Sequence, residues 1–363
     1  MMRVHRVMLR RTLKTTSPKG ENAVNDTPYP LVSRRRFLYT TAGFAGALPA
    51  LQARAARAQS LTPVSLQLGW FANAQMAGDF TAIGKGYFKD AGLEVKIVPG
   101  GPSIDPVGVV ASGSVMLGNV ASIGVLVAGR SRGLPIKAFA TAFQRHPFAF
   151  FFLKDKGIKT PADFAGKTVG IQGTARPLLD AVLAKYNVPR DKVNVIIIGG
   201  TTTPLLTGQA DVVSGWVINY AQNQPIQGKA DHFLLWDLGI RMYAYTYFTT
   251  DQVLATRKDV LTRYTGAAAK GWQYAREHPD EAVDFVMKAT SGLDRAMELP
   301  TWKVSAPYIS SPLTQQQGWG YMDPQIWAAL SDTYISLDQI PRKVPPDEVM
   351  TNEIVLAAKT PKL

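Results

Sequence analysis

The sequence predicts an α/β protein of two lobes, joined by a hinge with two crossings and followed by a helical C-terminal tail. Three observations lead there. Short β-rich runs alternate with helical stretches from Val64 onward, the pattern of a mostly parallel sheet covered by helices. The rhythm stops at Pro147 and begins again with the continuous apolar run Phe148–Leu153. After residue 255 strand signals cease and helical periodicity lasts almost to the end. Two crossings make a hinge, and a hinge between two lobes makes a cleft.

The first lobe is expected at 59–147 plus 256–363. Its strands read as Val64–Leu68, Glu94–Val98, Val115–Leu117 and Ile136–Phe143, with helices at Gly78–Phe88, Pro106–Ser112 and Ala121–Arg130. The second lobe, 148–255, repeats the alternation. Its further strands are Thr168–Ile171, Val193–Ile198 and Asp211–Gly215, with helices at Ala175–Tyr186, Pro204–Thr207 and Ile218–Gln224. A last β run, Tyr243–Ala255, places Tyr243, Tyr245 and Tyr247 on one face, against either the core or a ligand. Asp105-Pro106, Thr160-Pro161, Thr203-Pro204 and Asp323-Pro324 each put a capping residue before a first-turn proline.

The formal net charge of +13 would suggest a nucleic-acid or membrane-surface partner. Residues 1–58 carry 11 Lys+Arg and two acids, which leaves 29 basic against 25 acidic residues in the remainder. The basicity therefore belongs to the leader, and no nucleic-acid partner is expected. Ser33-Arg34-Arg35-Arg36-Phe37-Leu38, a mildly apolar run to Leu51 and the small-x-small site Ala56-Arg57-Ala58 form a removable export peptide. The paired arginines resemble a twin-arginine signal, whose translocon exports folded proteins. The apolar run is too short and too rich in Gly and Ala for a membrane span. The expected location is thus the periplasm. Zero cysteine excludes disulfides, thiolate metal sites, a thiol nucleophile and a lipid-anchored cysteine.

Little in the sequence asks for catalysis. His146, His232 and His278 are too far apart to share a helix face, so no metal site is expected. There is no Gly-x-Ser-x-Gly elbow, P-loop or dinucleotide Gly-x-Gly-x-x-Gly run, and no cofactor is implied. Recognition is expected instead at loops following the carboxyl ends of the strands. In Gly69–Gly78, Trp70 is expected in the cleft to stack on a flat ligand and Phe71 in the core, with Asn73 and Gln75 as orientable donors and acceptors. Asn119 follows the third strand, as either ligand contact or helix cap. Gln144 and His146 stand at the first crossing. In Gly173-Thr174-Ala175-Arg176, Thr174 reads as a cap and Arg176 opposes the helix dipole, which suggests an acidic or strongly polar ligand group. Trp216, Asn219 and Asn223 follow the second lobe's third strand, where Trp216 would face Trp70 across a planar ring.

These residues resemble the NMT1/THI5-like solute-binding proteins. The resemblance rests on Trp70-Phe71-x-Asn73, Ala77-Gly78, Gly84-Lys85-Gly86-Tyr87-Phe88-Lys89-x-Ala91-Gly92-Leu93, Phe164-Ala165-Gly166-Lys167-Thr168-Val169-Gly170 and Gly208-Gln209-Ala210-Asp211. It implies a type II periplasmic binding protein fold and a role beside the permease of an ABC importer. The implied ligand is a small planar nitrogen heterocycle like a thiamine-pyrimidine precursor; nitrate, alkanesulfonate or taurine is the alternative. Met76 stands where the family often has His, and Asn223-Gln224-Pro225 where it often has Asn-Glu-Pro, so ring or charge preference is expected to differ. Fungal pyrimidine synthases share the fold and supply a further alternative, an exported enzyme. Their iron site is cysteine-rich, and a chain without cysteine cannot follow that pattern. The expectation is therefore a binding protein with no catalytic residue.

Overall fold

The computed structural model describes residues 60–363 except Pro102. The export-signal reading of residues 1–58 lies outside them. Ten strands form two sheets: β1 (Thr62–Gln67), β2 (Leu93–Val98), β3 (Leu117–Val120), β4 (Ile136–Phe143), β5 (Phe148–Leu153), β6 (Thr168–Ile171), β7 (Asn194–Ile197), β8 (Val212–Trp216), β9 (Ala230–Leu234) and β10 (Ala244–Thr250). The first sheet runs β2-β1-β3-β10-β4 and the second β7-β6-β8-β5-β9. Each begins with three parallel strands and continues with an antiparallel one, β10 or β5. β5 enters its sheet directly from the first crossing, and β10 from the second.

That pairing corrects one expectation. β10 bonds to β3 and β4, so residues 244–250 belong to the first lobe and the second crossing lies between β9 and β10, not at 255. Sequence order puts this aromatic run beside the second lobe; partners more than 100 residues away decide otherwise. β9 has no counterpart in the sequence reading, because Ala230-Asp231-His232 is a polar edge strand paired only with β5. The helix expected at Gly78–Phe88 is two helices, Ala77–Gly84 and Tyr87–Asp90, interrupted at Gly86 with φ of 78°. Asp105 and Asp323 cap their helices as expected, and Thr160 and Asp163 form a capping box.

The first lobe's core lies between its sheet and the tail helices, with Phe139, Phe143, Tyr247, Trp272, Trp302 and Trp319 among its buried members. Another core includes Val110, Ile123, Phe148, Phe150, Leu179, Tyr243 and Trp327, and therefore joins both lobes. Trp327 lies on the tail helix Pro324–Ser336. Helix Ala77–Gly84 crosses helix Lys258–Glu277 at a contact only glycine allows. A Cβ on Gly78 would stand 2.1 Å from the Trp272 ring, and one on Gly271 would stand 2.3 Å from the Gly78 carbonyl oxygen.

Beside that contact Asp79 is buried in an apolar core. Tyr247 Oη donates to its carboxylate at 2.8 Å and Tyr264 Oη at 3.3 Å, while Trp272 Nε1 donates to Tyr247 Oη at 2.8 Å. Burial outweighs these bonds and pushes the Asp79 carboxyl up to about 7. A folded-state value above the unfolded one means that stability is full in acid and is lost as pH rises from about 4 through 7. Asp79→Asn keeps shape and a hydrogen-bond acceptor but removes the charge. The variant is expected to match or fall slightly below the wild type at pH 4 and to exceed it at pH 8 by a few kcal/mol, on the order that such a shift implies. Chemical denaturation of both proteins at several pH values measures this difference; a pH-independent difference contradicts it.

Candidate ligand-binding cleft

Three loops gather at the carboxyl ends of β1, β2 and β3. Gly69 lies so near the Asn119 carbonyl that a Cβ would approach its oxygen to 2.6 Å, and the Gly100 N–H donates to the Trp70 carbonyl at 3.1 Å. Beyond Trp70 the chain makes a tight turn, Ala74–Met76. Asn73 Oδ1 accepts the Gln75 N–H at 2.8 Å, and Glu298 Oε2, from the tail helix Arg295–Ser305, accepts the Ala74 N–H at 2.7 Å. Burial raises the Glu298 carboxyl despite that bond. Two acceptors on successive amides fix the turn and with it the direction of the buried Gln75 side chain.

The second lobe contributes the loop after β8. The Val217 N–H donates to the Pro147 carbonyl at 2.9 Å, which ties this loop to the hinge. Ile218 is fully buried in the first lobe's core, so the loop is held by both lobes. Trp216 sits half-buried between His146, whose ring centre is 4.9 Å away, and Tyr245, met edge-on at 6.2 Å. Beside them a chain of side chains passes between the lobes. Tyr245 Oη donates to Gln75 Oε1 at 2.5 Å, Gln75 Nε2 donates to Asn219 Oδ1 at 2.5 Å, and Asn219 Nδ2 donates to Gln222 Oε1 at 2.9 Å. Tyr245 holds φ of 49°, the left-handed region, inside a strand. Such strain in a buried aromatic persists only where the surroundings fix it, and it falls here at the meeting of the lobes.

His146 is buried, and the Phe148 N–H donates to its Nδ1 at 3.2 Å. An accepting Nδ1 places the ring proton on Nε2, which has no partner among the described residues. Burial depresses the imidazole to about 3, so the ring is neutral. A separate hollow of about 350 Å³ lies by Tyr87, Arg263, Lys270 and Ala358. It sits where helix Lys258–Glu277 meets the chain end, away from the strand ends that define the cleft.

The signature of the family described as NMT1/THI5 like matches residues 73–282, more than half of the chain. The chain belongs to this family. It is similar to the riboflavin-binding protein RibY of Chloroflexus aurantiacus, 27% identical over 82% of this chain and 87% of the relative. The formylaminopyrimidine-binding protein of Halalkalibacterium halodurans is 29% identical over 63% of this chain and 71% of the relative. A 4-amino-5-hydroxymethyl-2-methylpyrimidine phosphate synthase of Legionella pneumophila is 24% identical over 69% of this chain and 81% of its own. Among solved structures, the alkanesulfonate-binding protein SsuA of Xanthomonas axonopodis pv. citri superposes with a TM-score of 0.58 at 13% identity, over 80% of this chain and 98% of its own. The fold is therefore that of type II periplasmic binding proteins.

Within this NMT1/THI5-like chain the structure sorts the residues expected at the site. Trp216 packs on His146, Asn219 bonds to Gln75, and Asn73 acts as the cap that sets the turn. Asn119 is buried at the end of β3 with Oδ1 unpaired among the described residues. Trp70 is 40% exposed and Phe71 53%, so Phe71 is not the core ring that was expected; the two rings meet edge-on at 5.5 Å. Met76 departs further from expectation, because it is fully buried in the first lobe's core. Gln144 is buried, accepting from Ser311 Oγ and donating to the Tyr321 carbonyl, and Asn223 Nδ2 donates to the Trp216 carbonyl; both brace backbone. Gly173 and Thr174 lie exposed in a short turn, and Ala175, not Thr174, is the cap of helix Arg176–Lys185. Arg176 faces Asp180 at 3.3 Å one turn on, and Asp180 also faces Arg190 at 3.1 Å, so the helix supplies Arg176 with a counter-charge that two guanidinium groups share.

Gln75 has no sequence signal that ranks it above Asn73. Tyr245 is hidden in an aromatic alternation that its positive φ breaks, and Glu298 comes from a tail that carries no motif. The tautomer of His146 is open to direct measurement. Side-chain nitrogen NMR is expected to show a proton on Nε2 and bare Nδ1, unchanged between pH 8 and pH 5; a titration centred near 6.5 contradicts the burial argument.

Proposed function

We propose that the chain is the solute-binding component of an ABC importer and holds a small planar nitrogen heterocycle between its lobes. The observation that carries this reading is the aromatic and amide cluster shared by the two lobes: Trp216 between His146 and Tyr245, beside the Gln75–Asn219 hydrogen bond. Rings supply flat apolar faces, and neutral amides supply directional donors and acceptors without net charge. Trp70 and Phe71, exposed at the end of β1, extend the aromatic surface toward solvent. A heterocycle fits such a surface better than a small anion does, since the amides and rings gathered there carry no net charge. The relatives named for riboflavin and formylaminopyrimidine support the same class.

The mechanism is recognition by hinge closure. Contacts from both lobes favour the form in which the lobes meet, and a permease reads that form. Ligand affinity for the closed arrangement over the open one is the only source of the shift. The leader's twin-arginine pattern supports export of the folded protein through that translocon to the periplasm, where it diffuses without a lipid tether. The synthase relatives favour an enzyme as a second reading. Against it, the chain has no cysteine, and His146 has its Nδ1 occupied by the Phe148 N–H, which leaves no proton-accepting nitrogen for a base.

A thermal-shift screen of the mature protein with pyrimidines, flavins, alkanesulfonates and nitrate tests the ligand class. Heterocycles are expected to raise the melting temperature and anions to leave it unchanged; the reverse pattern sinks the proposal. With a stabilising heterocycle in hand, Trp70→Ala is expected to weaken binding by about one to a few kcal/mol. Unchanged affinity would take Trp70 out of the site.

A further inference from the structure

We infer that Gln75 reads the ligand as a hydrogen-bond donor whose polarity is set by Tyr245, and that a ligand acceptor atom takes the place Asn219 Oδ1 holds in this structure. The inference rests on the binding-protein reading and adds to it the residue and the ligand atom concerned.

Tyr245 is buried, and burial raises its phenol far above neutrality, so its oxygen keeps its proton. Lone pairs on Gln75 Oε1, 2.5 Å away, receive that proton. With Oε1 on Tyr245, Nε2 faces the second lobe, where it donates to Asn219 Oδ1. An amide nitrogen carries two hydrogens, and the described residues offer an acceptor for one. Gln75 thus brings donor character to the meeting of the lobes beside Tyr245, whose ring meets Trp216, and Trp216 in turn packs on His146, which carries a proton on Nε2. Donors gathered beside aromatic rings call for a flat ligand with acceptors on its edge: a carbonyl oxygen or an unprotonated ring nitrogen, as in a heterocyclic lactam or imide.

Asn219 is the natural competitor. It belongs to the loop of the second lobe and bonds on to the exposed Gln222, so a ligand acceptor at Gln75 would release Asn219 to follow its own lobe or to bond the ligand's edge. The backbone need not move for this exchange. Asn73 and Glu298 hold the amides on either side of Ala74, and the Gln75 backbone stays where it is. Gln75 is therefore a reader of the ligand, and Tyr245 a residue that positions it.

Titration calorimetry with riboflavin, a formylaminopyrimidine and an alkanesulfonate on four proteins tests this: wild type, Gln75→Glu, Tyr245→Phe and the double variant. Gln75→Glu keeps the acceptor for Tyr245 and turns the donor into an acceptor. For the probe that wild type binds best, it is expected to lose at least tenfold in affinity while circular dichroism shows it folded. Tyr245→Phe is expected to lose severalfold, and the double variant to bind no worse than Gln75→Glu alone, because Tyr245 acts through Gln75. Wild-type affinity in Gln75→Glu, or additive losses in the double variant, overturns the inference. If wild type binds only the sulfonate, the heterocycle reading fails, while the assignment of Gln75 is judged on the same ratio of affinities. Binding of no probe at all removes both.

Discussion

The loop Trp216–Asn219 is held by both lobes at once, and the cleft is arranged around that constraint. Its backbone is tied to the hinge at Pro147, Ile218 is sunk in the first lobe's core, and Trp216 is flanked by His146 from one crossing and by Tyr245 just beyond the other. A loop with one end in each core reports the separation of the lobes directly. The polar groups near it follow from the same geometry: Gln75 reaches Asn219 because the turn at Asn73 and the seat of Ile218 bring the two lobes' strand ends together.

Beyond this loop the polar connection between the lobes is slight. Away from the two crossings, where His146, Met242 and Tyr243 also take part in hydrogen bonds, the side-chain hydrogen bonds among the described residues that join them are Gln75 to Asn219 and Gln339 Nε2 to the Pro177 carbonyl, and no ion pair crosses. Each such bond is worth about 0.5–1.5 kcal/mol net. Apolar contact along helix Pro324–Ser336 and the core shared by both lobes supply the rest. A binding protein needs this balance. If the lobes held each other by many kcal/mol a ligand could not enter, and if nothing held them the ligand would have to supply the whole cost of closure.

Much of this was legible in the sequence, because alternation, helix caps and composition act locally. The two α/β lobes, the first crossing at 144–147 and the capping residues Asp105 and Asp323 all lie in short windows. What failed depends on distant partners. The place of β10 is set by β3 and β4, and its Tyr245 by a positive φ that no alternation predicts. Arg176 looked uncompensated at a helix start until Asp180 was seen to face it, although the spacing of four made that pair readable. Met76 shows the limit of reading a site by resemblance. Its side chain is apolar and turns into the core.

The central claim, that the cleft binds and does not transform a heteroaromatic solute, is met most directly by native mass spectrometry of the protein purified without denaturation. The account predicts one heteroaromatic molecule per chain, released unchanged in mass after prolonged incubation with the protein. Recovery of a chemically altered compound, or of a small anion as the bound species, would contradict it.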